Sequence, residues 1–217
     1  MGINDRRNRE KQSRNEEIIK VATQLFAKKG FQSCTMDMIA EKAELSKGVI
    51  YAHFKSKAEL LYAVMEPLLQ KYYREVDDIV NGNNNVKETA DIKLIKLFDY
   101  YYNNFIKDPS SYQILMFYDA SIIEPAFTSK RLARLKKMMR LNLKSLEKLL
   151  QAGVDHKIFK PLNPKSVSTI IWNMVLGIFQ FEQNRIFSGK KSYIKEDLNQ
   201  ALDMILFGIK SDKLGGF

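Results

Sequence analysis

The chain has 217 residues and a net charge of +10, from 35 Lys and Arg against 25 Asp and Glu. This length allows a small module joined to a larger body, and an apolar fraction of 45% is typical of a folded chain rather than a disordered one. The charge favours a polyanionic partner, either nucleic acid or an anionic membrane.

No segment predicts export or insertion into a membrane. The basic residues near the start are not followed by an apolar run, so we expect no secretory signal. The most apolar stretch, residues 170–181, is interrupted by Asn173 and Gln180 and is shorter than the roughly 20 residues of a membrane span. The single cysteine, Cys34, is interpreted as a small buried residue, and its isolation fits a reducing, cytoplasmic location.

The N-terminal third predicts a basic arm followed by helices. Residues 1–14 are polar and are expected to form a flexible arm, and residues 1–57 carry 12 Lys and Arg against 7 Asp and Glu. Ser13 and Glu16 have the spacing of a capping box at the start of a helix over about 16–29, which Gly30 ends.

Three further helix starts are marked by residues that cap helices. Thr35 and Ser46 each precede a short helix, and Ser56 with Glu59 forms a second capping box before a longer one. The helical periodicity continues through the body, with a break at the turn-rich residues 81–85. The predicted body helices cover about 87–107, 110–121, 126–152, 165–187 and 193–210.

This pattern predicts an all-α fold in which a three-helix DNA-binding module precedes a larger helical body. The two short helices after Thr35 and Ser46 are separated by a turn at Glu44 and Leu45, which is the arrangement of a helix-turn-helix. Small residues at Ala40 and Ala43 allow close crossing. The expected domains are the arm at 1–14, the helix-turn-helix at 15–57, and a ligand-binding and dimerisation domain at 58–217.

The second short helix has the chemistry of a DNA reader. Its first N–H groups, at Lys47 and Gly48, lack intrahelical acceptors and carry the positive end of the helix dipole. Gly48 allows close approach, while Lys47, Tyr51 and His53 extend outward. Lys57 stands at the N-terminus of the next helix, where a phosphate would gain charge and dipole.

Residues 35–60, TMDMIAEKAELSKGVIYAHFKSKAEL, resemble the DNA-binding signature of the TetR/AcrR family of bacterial regulators. Residues 18–30, with the pair Leu25-Phe26, resemble its first helix. The sequence departs from the family at Glu44, where Gly is frequent, and at the small Ala52. The resemblance implies a homodimeric transcriptional regulator that binds a palindromic operator in double-stranded DNA, usually as a repressor released by a small-molecule effector, with no cofactor and no metal.

The resemblance and the surface chemistry select the same candidates for DNA contact. They are Thr35, Ser46, Lys47, Gly48, Tyr51, His53 and Lys57. We assign phosphate contacts to Tyr51 and Lys57, and a share of base readout to Lys47, since Lys donates to guanine O6 and N7. Alternatives remain open: Thr35 and Ser46 as caps only, Tyr51 as packing, and His53 as an ordinary surface or core residue. The arm is either a solvated tail or a second DNA contact.

The last two predicted helices carry apolar stripes that suit a two-fold interface between subunits. The predicted dimer residues are Val167, Ile171, Met174, Ile178, Leu198, Leu202 and Ile205. Two helices from each protomer would form a four-helix interface. The alternative is that both stripes face the core of their own protomer.

Aromatic and methionine residues in the body suggest an effector pocket. The candidates are Tyr101, Phe105, Met116, Phe117, Met139, Trp172, Asn173 and Phe179. The alternative for each is ordinary core packing. An effector that preferred a body conformation with wrongly spaced DNA modules would weaken DNA binding through its differential affinity, with the helix from Ser56 as transmitter.

Three other functions are weaker interpretations. An enzyme is disfavoured because the two histidines are far apart and no metal-ligand spacing, nucleophile elbow or Gly-rich phosphate loop is present. A non-specific or architectural nucleic-acid binder without ligand control agrees with the charge and differs from a specific regulator in its specificity ratio. A protein lying on a membrane would need a basic amphipathic helix, for which only residues 130–150 qualify, and their charges are better explained as a solvated face.

Overall fold

A computed structural model describes the backbone of residues 3–82, 88–116 and 120–211, with their side chains except at 3, 4, 116, 120, 122 and 187. The regular secondary structure of these residues is helical, with a short 3-10 helix at Glu124–Ala126 and an isolated bridge between Phe159 and Lys210, so the predicted all-α class is confirmed. The α-helices are α1 (Ile3–Ser33), α2 (Met36–Lys42), α3 (Lys47–His53), α4 (Lys57–Asn81), α5 (Ala90–Lys107), α6 (Pro109–Met116), α7 (Ala120–Ile123), α8 (Ser129–Asp155), α9 (Pro164–Phe187) and α10 (Ile194–Ile209).

The chain forms two compact units. Unit 1 contains residues up to Gln70 together with Asp108–Lys136, and unit 2 contains Lys71–Lys107 and the residues from Lys137 onward. The helices α4 and α8 therefore each contribute to both units. This division differs from the predicted boundary at residue 57, because the start of α4, the helices α6 and α7 and the start of α8 group with the helix-turn-helix.

Unit 1 is built around α1, which packs against α2 and α6. The buried residues Ile18, Ala22 and Phe26 follow one another at helical spacing on α1. Gly30 has a φ of 75° and breaks the helical geometry, as expected of a glycine after a helix, although a further turn follows to Ser33.

The start of α1 differs from the prediction. The helix begins at Ile3, so residues 3–14 continue α1 instead of forming a separate arm. The predicted capping box at Ser13 and Glu16 is therefore wrong, because both residues lie inside a helix. Residues 5–14 are all exposed, and their charges support the helix locally through pairs such as Arg6–Glu10 at 2.8 Å.

Basic residues at the start of α8 are bound to acidic partners within unit 1. Arg131 lies 3.0 Å from Glu59, and Arg134 lies 2.5 Å from Glu66, both on α4. The Arg131 guanidinium also lies over the Tyr62 ring, 5.1 Å from its centroid. These charges hold α8 to α4, so they do not form the basic face that the membrane interpretation requires.

Unit 2 has an aromatic core between α5, α9 and α10. Phe105 stacks on Phe179 with ring centroids 4.9 Å apart, and both side chains are buried. At the end of α8, a Cβ on Gly153 would lie 2.0 Å from the buried Phe159 ring, so only glycine allows the chain to turn back over that ring.

Candidate nucleic-acid interface

Side-chain caps fix the two helices of the helix-turn-helix. The Thr35 hydroxyl accepts a hydrogen bond from the Met38 N–H at 3.2 Å, and the Ser46 hydroxyl accepts one from the Val49 N–H at 3.3 Å. Both predicted caps are confirmed. Each residue has extended backbone angles, as an N-cap requires, and the buried Ile39 and Ile50 hold α2 and α3 to the unit's core.

The turn between α2 and α3 passes through a left-handed residue. Glu44 has a φ of 55°, and the next N–H, at Leu45, donates to the Ala40 carbonyl at 2.9 Å. This explains why glycine would suit the position, since only glycine adopts such angles without steric cost. The Glu44 side chain is exposed and is not crowded by packing, so the steric cost at this residue comes from its backbone angles.

The outer face of α3 is open. Lys47 and Gly48 are exposed, and Tyr51 retains 45% of its accessible surface. A Cβ on Gly48 would meet only the Ser46 hydroxyl, at 3.9 Å, so packing within the chain does not require glycine there. This face therefore has the shape and exposure needed to enter a DNA groove.

Lys47 is oriented by an acidic residue of α2. Its ammonium lies 2.5 Å from the Asp37 carboxylate, and both side chains are more than half exposed. The hydrogen bond to Asp37, and then the charge of that carboxylate, raise the pKa of Lys47. An exposed pair of this kind is weak, so an acceptor on DNA can replace Asp37 at small cost.

His53, at the end of α3, contacts α1. Its Nδ1 lies 2.6 Å from the Asn15 side-chain oxygen. Burial, followed by the charges of Lys11 and Arg14, lowers the pKa of His53. The half-buried ring therefore joins two helices, in addition to any contact with DNA.

Lys57 is bound to the end of α1. Its ammonium donates to the carbonyl oxygens of Phe31, Cys34 and Gln32 at 2.6, 2.8 and 3.1 Å, which matches the three donors of the group. It also lies 4.5 Å from the centroid of the Phe31 ring. A phosphate contact by Lys57 would require one of these bonds to be exchanged, so the predicted contact competes with a structural one.

Comparison with known proteins assigns the module. Residues 18–64 match the family described as bacterial regulatory proteins, tetR family. The helix-turn-helix module is therefore a DNA-binding module of the tetR family, and the curated relatives that the chain matches are named as transcriptional regulators.

Similar proteins extend the match beyond the module. The uncharacterised HTH-type regulator YhgD of Bacillus subtilis is 23% identical over 171 residues, which are 78% of this chain and 85% of YhgD. The HTH-type transcriptional repressor KstR2 of Mycolicibacterium smegmatis is 25% identical over 155 residues, 69% of each chain. The solved SmeT–triclosan complex is 23% identical, has a TM-score of 0.69, and aligns over 92% of this chain and 93% of SmeT, which shows a shared fold.

Only some of the aromatic residues predicted to line an effector pocket lie close together in the structure. In unit 2, Tyr101, Phe105 and Phe179 are buried, and Trp172 meets Tyr101 edge-on with centroids 6.4 Å apart. Met139 is half-buried. Phe117 and the Met116 side chain lie outside the described residues. These rings contact one another, so they fill much of the space that they were expected to enclose.

Asn173 is a wrong prediction for an interior pocket. It is exposed on α9, and its amide donates to the Thr169 carbonyl one turn earlier, at 2.9 Å. A cleft of about 640 Å³ lies in unit 2 near the ends of α4 and α8. Its polar lining includes Glu88, Lys148 and His156, none of which the sequence analysis assigned to a pocket.

Most of the predicted dimer residues face the core of their own protomer. Ile171 on α9 is buried, and so are Leu198, Leu202 and Ile205 on α10, so their assignment to the interface is wrong. Val167, Met174 and Ile178 are half-buried and remain candidates. The most exposed large apolar side chains of α9 and α10 are instead Ile170 (56%), Phe181 (59%), Met204 (64%) and Phe207 (92%).

Three residues near the interface were missed by the sequence interpretation. Asp37 was interpreted only as a favourable charge in the first turn of α2, and Asn15 and Glu59 were given no contact across the module. Asp37 binds Lys47, Asn15 binds His53, and Glu59 binds both Arg131 and the Lys55 N–H, the latter at 2.8 Å. No spacing rule predicts the pairs of Asp37 with Lys47, Asn15 with His53 and Glu59 with Arg131, since the two members of each pair lie on different helices.

The described residues contain neither a metal cluster nor a membrane span. No group of three or more His, Cys, Asp or Glu side chains is arranged to hold a metal ion. No helix in this part of the chain has the length and apolar character to cross a membrane.

Proposed function

We propose that this chain is a homodimeric, cytoplasmic repressor that leaves its operator when a small molecule binds. The observation that carries the proposal is the open face of α3, where Lys47, Gly48 and Tyr51 are exposed on a helix fixed by the Thr35 and Ser46 caps. Such a helix reads only a few base pairs, so high specificity requires a second copy of the module.

The exposed apolar residues of α9 and α10 support dimerisation. Ile170 and Phe181 lie on α9, and Met204 and Phe207 lie on α10, and the two helices pack together within unit 2. Gly177 and Gly208 have no neighbouring atom where a Cβ would be, so both leave room for a partner helix. Two such faces related by a two-fold axis would present two reading helices to a palindrome.

The connectivity of α4 supports release by a small molecule. This helix is continuous from Lys57 to Asn81 and contributes residues to both units, so a change of conformation in unit 2 alters the support of the module. A ligand that prefers one arrangement shifts the population by its differential affinity. The solved complex of SmeT with triclosan supports this proposal, because it is a small-molecule complex of a protein with this fold.

The aromatic interior of unit 2 is the proposed effector site, with Tyr101, Phe105, Trp172 and Phe179 as walls. Their surfaces favour an apolar or aromatic effector. Burial raises the pKa of Tyr101 to about 12, so its hydroxyl stays protonated and can donate a hydrogen bond to the effector. Opening this site requires the stacked rings to separate, which links ligand binding to a change in the core.

The test is selection of bound sequences from a random duplex pool, at near-physiological salt, followed by a reporter assay on the recovered sequence. We expect a palindrome bound about 10³-fold or more above random DNA, and a promoter silenced when this site overlaps it. A pool without an enriched motif would point to non-specific binding and overturn the proposal. Activation of the reporter would overturn the repressor part alone, and an operator affinity that no bound effector changes would overturn the ligand part.

A further inference from the structure

The segment of α1 that precedes the helix-turn-helix carries a basic stripe on one side. Arg7, Lys11 and Arg14 follow one another at four- and three-residue steps, so they share a helix face. The same steps lead from Arg14 to the buried Ile18 and Ala22. The face that packs into the module therefore continues beyond it as positive charge.

Two acidic residues of this segment bind groups outside the stripe. Glu10 binds Arg6 at 2.8 Å, and Glu16 accepts a hydrogen bond from Gln12 at 3.1 Å. At the edge of the stripe, Glu17 binds Arg14 at 2.8 Å. In the described part of the chain, Arg7 and Lys11 form no ion pair, and both are exposed, so two charges of the stripe are available to a partner.

The stripe is joined to the end of α3. Asn15 stands next to Arg14 in the sequence, and its side-chain oxygen lies 2.6 Å from Nδ1 of His53, the last residue of α3. Lys11 and Arg14 are near enough to lower the pKa of that histidine. The basic face is thus placed beside the helix that presents Lys47, Gly48 and Tyr51.

We propose that Arg7, Lys11 and Arg14 form a second DNA-contact surface, which binds backbone phosphates flanking the groove that α3 enters. The partner follows from the charge, because a row of exposed cations beside a groove-reading helix matches the regular phosphates of a duplex. Arg7 lies eight residues before Asn15, so the stripe extends about 12 Å from α3. This length corresponds to about three or four phosphates along one strand.

The inference rests on the DNA-binding role of the chain but not on a specific operator. The contact is with phosphates, so it is expected on random DNA as well as on any selected sequence. A pooled random-sequence duplex is therefore a suitable probe, and the result remains interpretable if operator selection fails.

The test compares two charge-matched double variants. The first, Arg7→Gln with Lys11→Gln, removes the free charges of the stripe. The control, Arg9→Gln with Lys20→Gln, removes two exposed positive charges from the opposite side of α1. Glutamine is a good helix former, and circular dichroism checks that α1 is retained in both variants.

We expect the stripe variant to bind random duplex more weakly at low salt and to lose about 1.8 from the slope of log affinity against log salt, about 0.9 for each phosphate contact. Between about 50 and 200 mM salt, its affinity should fall roughly tenfold less than that of the unmodified chain. Equal slopes for the stripe variant and the control would overturn the proposal, because only net charge would then matter. On a selected operator, hydroxyl-radical footprints should also lose protection at the flanks only in the stripe variant.

Discussion

The ammonium of Lys57 lies 2.6 Å from the carbonyl oxygen of Phe31, so the first residue of α4 closes the end of α1. A cation at a helix C-terminus is stabilised by the unpaired carbonyls of the last turn. Here the sequence motif predicts a phosphate contact, whereas the structure gives the same residue a role in holding the module together.

The substitution Lys57→Met separates the two roles. Loss of charged hydrogen bonds to partly buried carbonyls should lower the free energy of unfolding by about 2 kcal/mol, as measured by urea denaturation. The salt dependence of DNA binding should change little. The matched control is Lys55→Met, at an exposed neighbour, which should leave stability within about 0.5 kcal/mol. A salt slope reduced by about one, with stability unchanged, would instead establish Lys57 as a phosphate contact.

The left-handed turn residue Glu44 predicts a stabilising substitution. Replacing it with Gly removes the steric cost of a φ of 55° and should raise the free energy of unfolding by up to about 1 kcal/mol. Glu44→Ala removes the same carboxylate but keeps the Cβ, so it should not stabilise. If the two variants gained equally, charge and not backbone strain would be the cause.

Gly48→Ala should separate stability from DNA binding. The added methyl group meets only the Ser46 hydroxyl at 3.9 Å, and alanine favours helix, so the fold should gain up to about 1 kcal/mol. The same methyl group occupies the face proposed to approach DNA, so affinity for DNA should fall. Fluorescence anisotropy and urea denaturation on one preparation would measure both. Unchanged affinity would mean that α3 does not approach the groove closely at this residue.

Phe207 is the exposed residue on which we expect the dimer to depend most. Phe207→Glu places a charge on the apolar face of α10 and should convert the dimer to a monomer in sedimentation equilibrium, with loss of binding to a palindromic duplex. Ile106→Glu is the control, because Ile106 is also an exposed apolar residue of unit 2 but lies on α5. A Phe207→Glu chain that remained a dimer would remove this face from the interface.

His53 predicts a pH dependence of stability. Its pKa in the folded chain lies below the ordinary value of 6.5, because burial and the neighbouring Lys11 and Arg14 disfavour the charged ring. Above pH 6.5 the ring is neutral in both states. As the pH falls below this value the unfolded chain takes up the proton first, so stability is lost until the folded-state pKa is passed.

The substitution His53→Gln should therefore reduce the loss of stability between about pH 7.5 and pH 5. His156→Gln, at the other histidine, serves as the control. Parallel stability curves for His53→Gln and the unmodified chain would show that the ring is equally easy to protonate in both states.

The local signals of the helix-turn-helix were readable from the sequence because they depend on neighbours in the chain. Thr35, Ser46 and Ser56 cap as predicted, the last with its hydroxyl accepting from the Glu59 N–H at 3.1 Å. Apolar stripes did not distinguish core from dimer interface, because a side chain buried in its own protomer and one buried against a partner have the same chemistry. Thus Ile171 and Leu202 were assigned to an interface that their burial rules out. The sequence did contain one indication of a second apolar face on α10, because Phe207 lies off the main apolar stripe of that helix.

The pairing of Lys47 with Asp37 affects how DNA affinity can be inferred for related proteins. Before DNA is bound, the Lys47 ammonium is held by a residue of α2, one helix away from the reading helix, and a DNA acceptor must displace that weak partner. Two chains with identical α3 sequences but different residues at position 37 would therefore differ in the small free energy needed to release the lysine. A comparison confined to the reading helix would miss this difference in affinity.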